Sequence, residues 1–358
     1  MKLISQLVVG LFVIGLNASA LAASARTSDD LTLKSWNHSA PLVLPANLVP
    51  GNFPQNIDHF GMSDGTFAQR YWIDSSYAAN KPDAPVIFHI CGEGDATQGY
   101  FLHDNAIEWA KTLGAHLVYL EHRYYGKSLP FADLSNEHMA FLTLDNVLED
   151  LATFQKWVMV NQGWKGKWIT VGGSYSATVS AIYRQTHPEL VVGALAASGP
   201  MISGTTQDDG SQADVNDLSS TDPSDDTGDR QWVYQACTKF GFWQTDEITI
   251  FNPSAWLCQQ LFGKVVRYDS TTYNQKYYTP FLTSSANAPS NILFTYGSED
   301  IWTTIGLPAQ SNQNTKITIH VIPGAGHHYD LNDPTAGDSN DVKAARALFV
   351  TLAKKWLN

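Results

Sequence analysis

Long apolar runs are nearly missing from this sequence. The run Leu7 to Leu16 falls short of the ~20 residues that cross a bilayer, and no later segment is long and apolar enough to span one. Basic residues are also few: 22 Lys and Arg stand against 34 Asp and Glu, a formal charge of −12 over 358 residues. Without a basic face, non-specific binding to nucleic acid or to an anionic membrane is not expected. Cysteine occurs only three times, and no internal repeat is visible. What the chain does have is 44% hydrophobic and 12% aromatic residues. That is enough to bury a sizeable core and to exclude wholesale disorder. One large domain or two modest ones both fit this length.

The beginning of the chain points to export. Lys2, the apolar run and the small residues Ala18-Ser19-Ala20-Leu21-Ala22-Ala23 form a secretory signal over residues 1–22, with cleavage expected near Ala22. The destination is then the extracellular space or a lysosome-like vacuole. In an exported chain three cysteines suggest one disulfide and one leftover thiol. Cys237 and Cys258 are close in sequence and make the economical pair; Cys91 ends an apolar run and reads as a small buried hydrophobe. Asn37-His38-Ser39 is a glycosylation sequon, usable in a eukaryotic secretory pathway.

Hydrophobic periodicity predicts alternating strands and helices. Strands are expected over 66–73, 86–90, 116–120, 168–171, 191–197, 292–296 and 317–322, and residues 24–60 read as irregular. Helices are expected over 103–112, after Thr143, over 175–185, and near the end through Val342, Ala345, Phe349 and Leu352. Such alternation implies a mostly parallel sheet covered by helices on both faces. The pattern breaks between Ser198 and Ile292. There, Thr205 to Asp229 carries eight Asp and no Lys or Arg and reads as a loose acidic loop. A calcium loop would need regular acidic spacing and a closing Glu, which are missing. Residues 230–263 read as two helices. The expected organisation is a core over 23–200, an insertion over 201–290, and a second core part over 291–358.

Chemistry concentrates at three turns. Gly172-Gly173-Ser174-Tyr175-Ser176 joins a strand to a helix in the nucleophile-elbow pattern, with Ser176 in place of the last glycine. Asp300 and His327 each follow a later strand, and the order Ser, Asp, His is that of α/β hydrolases. Glu299 and His328 are neighbours that spacing alone does not exclude. The expected oxyanion donors are the Tyr175 amide and one from Cys91-Gly92-Glu93-Gly94-Asp95, with Gly92 the first choice. The adjacent pair His327-His328 lacks the i, i+4 spacing of a helical zinc site, so no metal is expected.

Further segments carry a resemblance. They are Asp58-His59-Phe60-Gly61, Gln69-Arg70-Tyr71, Leu120-Glu121-His122-Arg123-Tyr124-Tyr125-Gly126-Lys127-Ser128-Leu129-Pro130-Phe131 and Gly193 to Ser198. With them go Gly172 to Tyr175, Arg230-Gln231-Trp232-Val233-Tyr234-Gln235-Ala236-Cys237-Thr238 and His327-His328-Tyr329-Asp330-Leu331. Together they resemble the S28 serine peptidases over nearly the whole mature chain. The resemblance implies an α/β-hydrolase fold and cleavage of peptides after proline, without a cofactor. It also implies Ser174 as nucleophile, Asp300 as orienter and His327 as base. Cys237 and Cys258 match a family disulfide, and Trp302 matches an aromatic beside the proline pocket, with core packing as its other role. Family members carry a long helical cap where this chain has the acidic loop, so a reduced cap and a more open cleft are expected. A homodimer stays open as an assembly. Two rival readings are an esterase or lipase built on the same triad, and a binding protein that kept a hydrolase scaffold without its activity.

Overall fold

The computed structural model describes residues 47–79, 81–97, 104–207, 218–224, 228–245, 253–263, 269–307 and 312–358. The signal segment, Asn37 and six acidic-loop carboxylates (Asp208, Asp209, Asp214, Asp217, Asp225 and Asp226) lie outside the described residues.

The strands in chain order are β1 (Val49–Asn56), β2 (Thr66–Asp74), β3 (Val86–Ile90), β4 (His116–Leu120), β5 (Trp168–Gly173), β6 (Gly193–Ala197), β7 (Gly204–Gln207), β8 (Phe242–Thr245), β9 (Ile292–Gly297) and β10 (Thr318–Ile322). Eight of them form one sheet in the order β1-β2-β4-β3-β5-β6-β9-β10. β1 and β2, and β2 and β4, pair antiparallel; every other neighbour pair in this sheet is parallel.

The central strands are apolar throughout because both of their faces are covered. β3 is buried at every residue. Its Val86, Phe88 and Ile90 point into a core shared with α2 (Leu144–Gln162) and α3 (Tyr175–Thr186). Ile87 points the other way, into a core with Trp109 of α1 (Ala106–Leu113) and Phe349 and Trp356 of α6 (Asn340–Leu357). The Thr143 hydroxyl accepts the Asn146 amide at 3.1 Å and starts α2. The chain thus has the mostly parallel sheet that its periodicity predicts, with helices on both faces.

Three segments differ from expectation; Thr205 to Gln207, which the sequence places in the acidic loop, belongs to β7. Residues 49–56, read as irregular, form β1. Pro50, Gly51 and Pro54 hide it in the sequence, but an edge strand tolerates proline because one row of its amides faces no neighbour. Residues 230–263, read as two helices, contain a strand between them. α4 (Asp229–Gln235) runs on through a wider turn, Ala236–Phe240, and stops at Gly241. β8 then pairs in parallel with β7, and α5 (Pro253–Phe262) follows. Phe242 leaves the helical path because its ring stacks on Phe240 at 4.6 Å and meets Tyr273 edge-on at 5.6 Å. A Cys237–Cys258 disulfide ties α4's extension to α5, and Cys91 is a buried free thiol. Closing so short a loop stabilises by roughly 3 kcal/mol in the chain-entropy model.

Polar side chains also fix the core. Arg123 is fully enclosed; its Nε and Nη2 each donate to Asp150 at 2.6 Å. Its Nη1 donates to the carbonyls of Ile57 at 2.8 Å and Phe141 at 3.0 Å. His59 Nε2 lies 2.8 Å from the same Asp150 carboxylate. This pins the chain after β1 to α2. Asp150→Ala leaves a buried guanidinium unpaired and should lower stability by about 3–5 kcal/mol. The check is a urea midpoint at unchanged slope; a loss below about 1 kcal/mol, the range of exposed pairs, would contradict the clamp.

Candidate active site

β5 ends at Gly173 and α3 begins at Tyr175, so one residue must turn the chain from strand to helix. Ser174 does so at φ 56° and ψ −132°, a region costly for a residue with a side chain. The turn is tight enough that a Cβ on Gly172 would fall 2.2 Å from the Ser176 carbonyl oxygen. Ser176 fits where a glycine is usual because its hydroxyl folds back and donates to the Gly173 carbonyl at 2.6 Å.

The loops after β9 and β10 end at the same edge of the sheet. His327 Nε2 lies 2.9 Å from Ser174 Oγ, and its Nδ1 lies 3.0 Å from Asp300 Oδ1. Asp300 has a fully enclosed side chain, and its Oδ1 also accepts the Trp302 amide at 3.0 Å. Burial works to raise its pKa. The His327 ring, the Ser198 hydroxyl and that amide outweigh burial and hold the carboxyl below its ordinary range. The structure therefore brings Ser174, His327 and Asp300 into one hydrogen-bonded line.

The neighbours that spacing left open do not join that line. His328 turns its ring towards Gly173, and its amide donates to Ser198 Oγ at 2.8 Å. Burial, reinforced by His327, drives its pKa down to about 3, so the ring is neutral. Glu299 is exposed and takes the Ser298 hydroxyl at 3.2 Å.

Gly92 is buried in the turn after β3. The next residue, Glu93, is one that the sequence reading passed over. Its own amide, the His327 ring and the Tyr175 amide all favour its charged form. Burial pushes its pKa up to about 7 despite these favourable contacts. The Tyr175 amide, expected to stand ready for an oxyanion, thus faces a carboxyl that is neutral in mild acid. A Gly-Glu-Gly stretch directly after a buried strand was the available signal.

Trp302 is half-buried, with its ring 6.4 Å from His327 and 6.4 Å from Trp232 of α4. Trp232 in turn meets Tyr175 at 6.0 Å and Phe240 at 5.3 Å. These rings form an apolar cluster that runs from α4 to the His327 ring.

The sequence pattern of the family described as Serine carboxypeptidase S28 matches residues 55–208 and 202–349. The chain belongs to that family. Among its S28-like relatives, human Lysosomal Pro-X carboxypeptidase is 39% identical over 190 residues, covering 51% of this chain and 38% of the human protein. Serine protease vicPa of Bipolaris victoriae is 37% identical over 181 residues, covering 45% of this chain and 33% of the fungal one. The matched part therefore spans less than half the length of either relative. A crystal structure of a mutant of the esterase rPPE superposes with a TM-score of 0.50 and 15% identity, over 92% of this chain and 89% of the esterase. At that identity the likeness concerns the α/β-hydrolase fold alone.

The elbow of this S28 chain makes opposite demands on two adjacent small residues. Gly172→Ala should collapse the turn, since the added carbon meets backbone that cannot yield. Ser176→Gly should cost only about 1 kcal/mol, the net value of one hydrogen bond. Thermal unfolding of both variants checks the pair; a Gly172→Ala protein as stable as the parent would contradict this account.

Proposed function

We propose that the chain is an exported serine peptidase, cleaving peptide bonds after proline through an acyl-enzyme. The observation that carries the reading is the line Ser174 Oγ, His327, Asp300, at 2.9 and 3.0 Å. In this reading Ser174 attacks the peptide carbonyl while His327 Nε2 takes its proton and returns it to the leaving amine. Asp300, ionised, holds the imidazole by Nδ1 and stabilises its charge. Water then enters by the same route in reverse. The steps as written use no cofactor.

The oxyanion is received by the amides of Tyr175 and Gly92, each such donor being worth about 3 kcal/mol. Glu93 belongs to the same place. Neutral, its carboxyl donates a proton to a hydrogen bond with the oxyanion; ionised, it puts a second negative charge there. Trp302 and Trp232 offer apolar surface to the flat ring of a proline side chain. The insertion, residues 201–290, acts as a reduced cap, and the more open cleft admits chain interiors as well as ends. Export places the activity outside the cell or in a lysosome-like vacuole.

The direct test is mass spectrometry of products from proline peptides with free and with blocked ends, beside short-chain esters. Cleavage after proline supports the reading. Ester turnover without any peptide cleavage would overturn it in favour of an esterase. Ser174→Ala should abolish both turnover and fluorophosphonate labelling, a loss on the order of 10⁶-fold. His327→Ala should lose nearly as much and His328→Ala far less, since it is His327 Nε2 that lies 2.9 Å from Ser174 Oγ.

Glu93 sets a pH limit. Its pKa is raised to about 7, and its facing partners are the His327 ring, the Tyr175 amide and the Tyr175 phenol. Below that pH the carboxyl is neutral and can donate; above it the charged form dominates. Turnover should therefore fall as pH rises through about 7, and Glu93→Gln, neutral at every pH, should lose that alkaline limb. A limb that persists in Glu93→Gln belongs to another group.

A further inference from the structure

Two of the recognisable segments, Gln69-Arg70-Tyr71 and Glu121 to Ser128, hold none of the residues proposed to touch substrate. Their polar side chains nevertheless converge on the loop that carries Gly92 and Glu93. Glu121 follows β4 and its carboxylate is wholly enclosed. One oxygen accepts from Arg70 Nη2 and from the Ala96 amide at 3.0 Å. The other accepts from Arg70 Nε at 2.8 Å, Ser128 Oγ at 2.6 Å and the Lys127 amide at 3.1 Å. Arg70 Nη2 also reaches Asp95 Oδ1 at 2.7 Å. That oxygen takes the Thr97 amide at 2.9 Å and the Thr97 hydroxyl at 2.6 Å. Gly126, at φ 57°, leaves room for the pair, since a Cβ there would overlap the Glu121 carboxylate.

The loop is thus gripped on both sides of Glu93. Before it, the Cys91 amide donates to the Leu120 carbonyl at 3.2 Å, so the chain is still tied to β4. After it, Asp95 and Ala96 are tied to the Arg70–Glu121 pair. Three residues, 92–94, span the two grips, with the Gly94 amide turned back onto the Gly92 carbonyl at 3.1 Å. So short a span has little freedom to carry Glu93 away from Tyr175. A single surface bond would not achieve this; a buried carboxylate with five donors does, because moving it would leave several of them unsatisfied.

We propose that Arg70, Glu121 and Asp95 are positioning residues for oxyanion stabilisation, holding the Gly92–Glu93 loop against the Tyr175 amide. The inference rests on the peptidase reading above and adds to it a set of residues that act through Glu93 without touching substrate. Because the oxyanion exists only on the reaction path, loosening the loop should weaken the transition state and leave substrate binding nearly alone.

The test uses the full chain and begins with Asp95→Ala. Asp95 is partly exposed, with 21% of its side chain open, so the variant keeps the buried Arg70–Glu121 pair and should fold even where Glu121→Gln does not. The expected result is a kcat lower by roughly tenfold to a hundredfold with KM little changed, the scale of a small misplacement at the reacting centre. Fluorophosphonate labelling of Ser174, which also passes through a charged oxygen, should slow by the same factor. Asp95→Asn, which keeps an acceptor for Thr97 and Arg70, should recover most of the rate. In a Glu93→Gln background Asp95→Ala should cost far less than in the parent, because its effect passes through Glu93. A variant with parental kcat and only a lower melting temperature would make the clamp purely structural and overturn the proposal. Full effects of both changes multiplying together would also overturn it. The peptidase reading fails separately: a parent chain that cleaves no peptide but is still labelled leaves the labelling rate to decide the clamp. A parent that is not labelled at all sinks both.

Discussion

A strand and a helix that meet with one residue between them constrain everything around the candidate site. Ser174 can reverse the chain from β5 into α3 only by adopting a positive φ, and that conformation is held by the packing on either side. α3 is buried along nearly its whole length, from Tyr175 to Arg184, so it cannot move to relax the turn. β5 is hydrogen-bonded to β3 and β6. Strain at a non-glycine residue persists only where neighbours over-determine it, and here a buried helix and a central strand do so. The result is a hydroxyl raised above the sheet edge and an amide, that of Tyr175, at a helix start.

The remaining site groups reach that hydroxyl because of sheet order. β9 and β10 follow β6 on one side of β5, while β3 lies on the other. Parallel strands put all their following loops at one edge. Asp300 and His327 therefore arrive from one side and Glu93 from the opposite side. His327 stands between two carboxyl groups of contrary character. Asp300 has its charge favoured by hydrogen bonds, and Glu93 has its charge opposed by burial. Two similar groups with separated pKa values are the usual means by which one site holds a fixed charge and a neutral donor together.

How much of this the sequence disclosed depended on the kind of signal. Ser174, Asp300 and His327 were legible because their order along the chain, each after an apolar run, encodes where an open parallel sheet gathers its loops. The central strands were legible from continuous apolar residues. β1 was not, since Pro50 and Pro54 look like loop residues until the strand's edge position is known. β8 was not, because Phe242 and Trp243 satisfy a helical pattern as well as an extended one, and only the ring contacts of Phe242 decide. Spacing alone left His327 and His328 open, and the resemblance named His327; His327 is the ring that lies 2.9 Å from Ser174 Oγ. Glu93 was hidden for a different reason. Between two glycines it was read as part of a backbone-amide donor loop, whereas burial turned its side chain into the chemically distinctive group.

The segment after β4 shows how a run of polar residues can be structural and still bear on chemistry. Glu121, His122 and Arg123 are consecutive and all buried. The chain leaving β4 sends them in different directions: Glu121 to Arg70 and the Ala96 amide, His122 to the Tyr175 ring at 5.5 Å, Arg123 to Asp150 of α2. Burying such groups unpaired would cost several kcal/mol each, so a random polar run could not occupy this place. Each of the two charged side chains is instead matched by an opposite charge and several backbone groups. His122 is kept neutral by burial, which lowers its pKa to about 4, and sits 2.7 Å from the Arg123 carbonyl through Nδ1. The stabilisation gained from these pairs over an apolar core is small by the general balance of buried ion pairs. What they add is direction. An apolar side chain at 121 could fill the same volume, but it could not fix the Ala96 amide and the Arg70 guanidinium at set distances from the loop that carries Glu93.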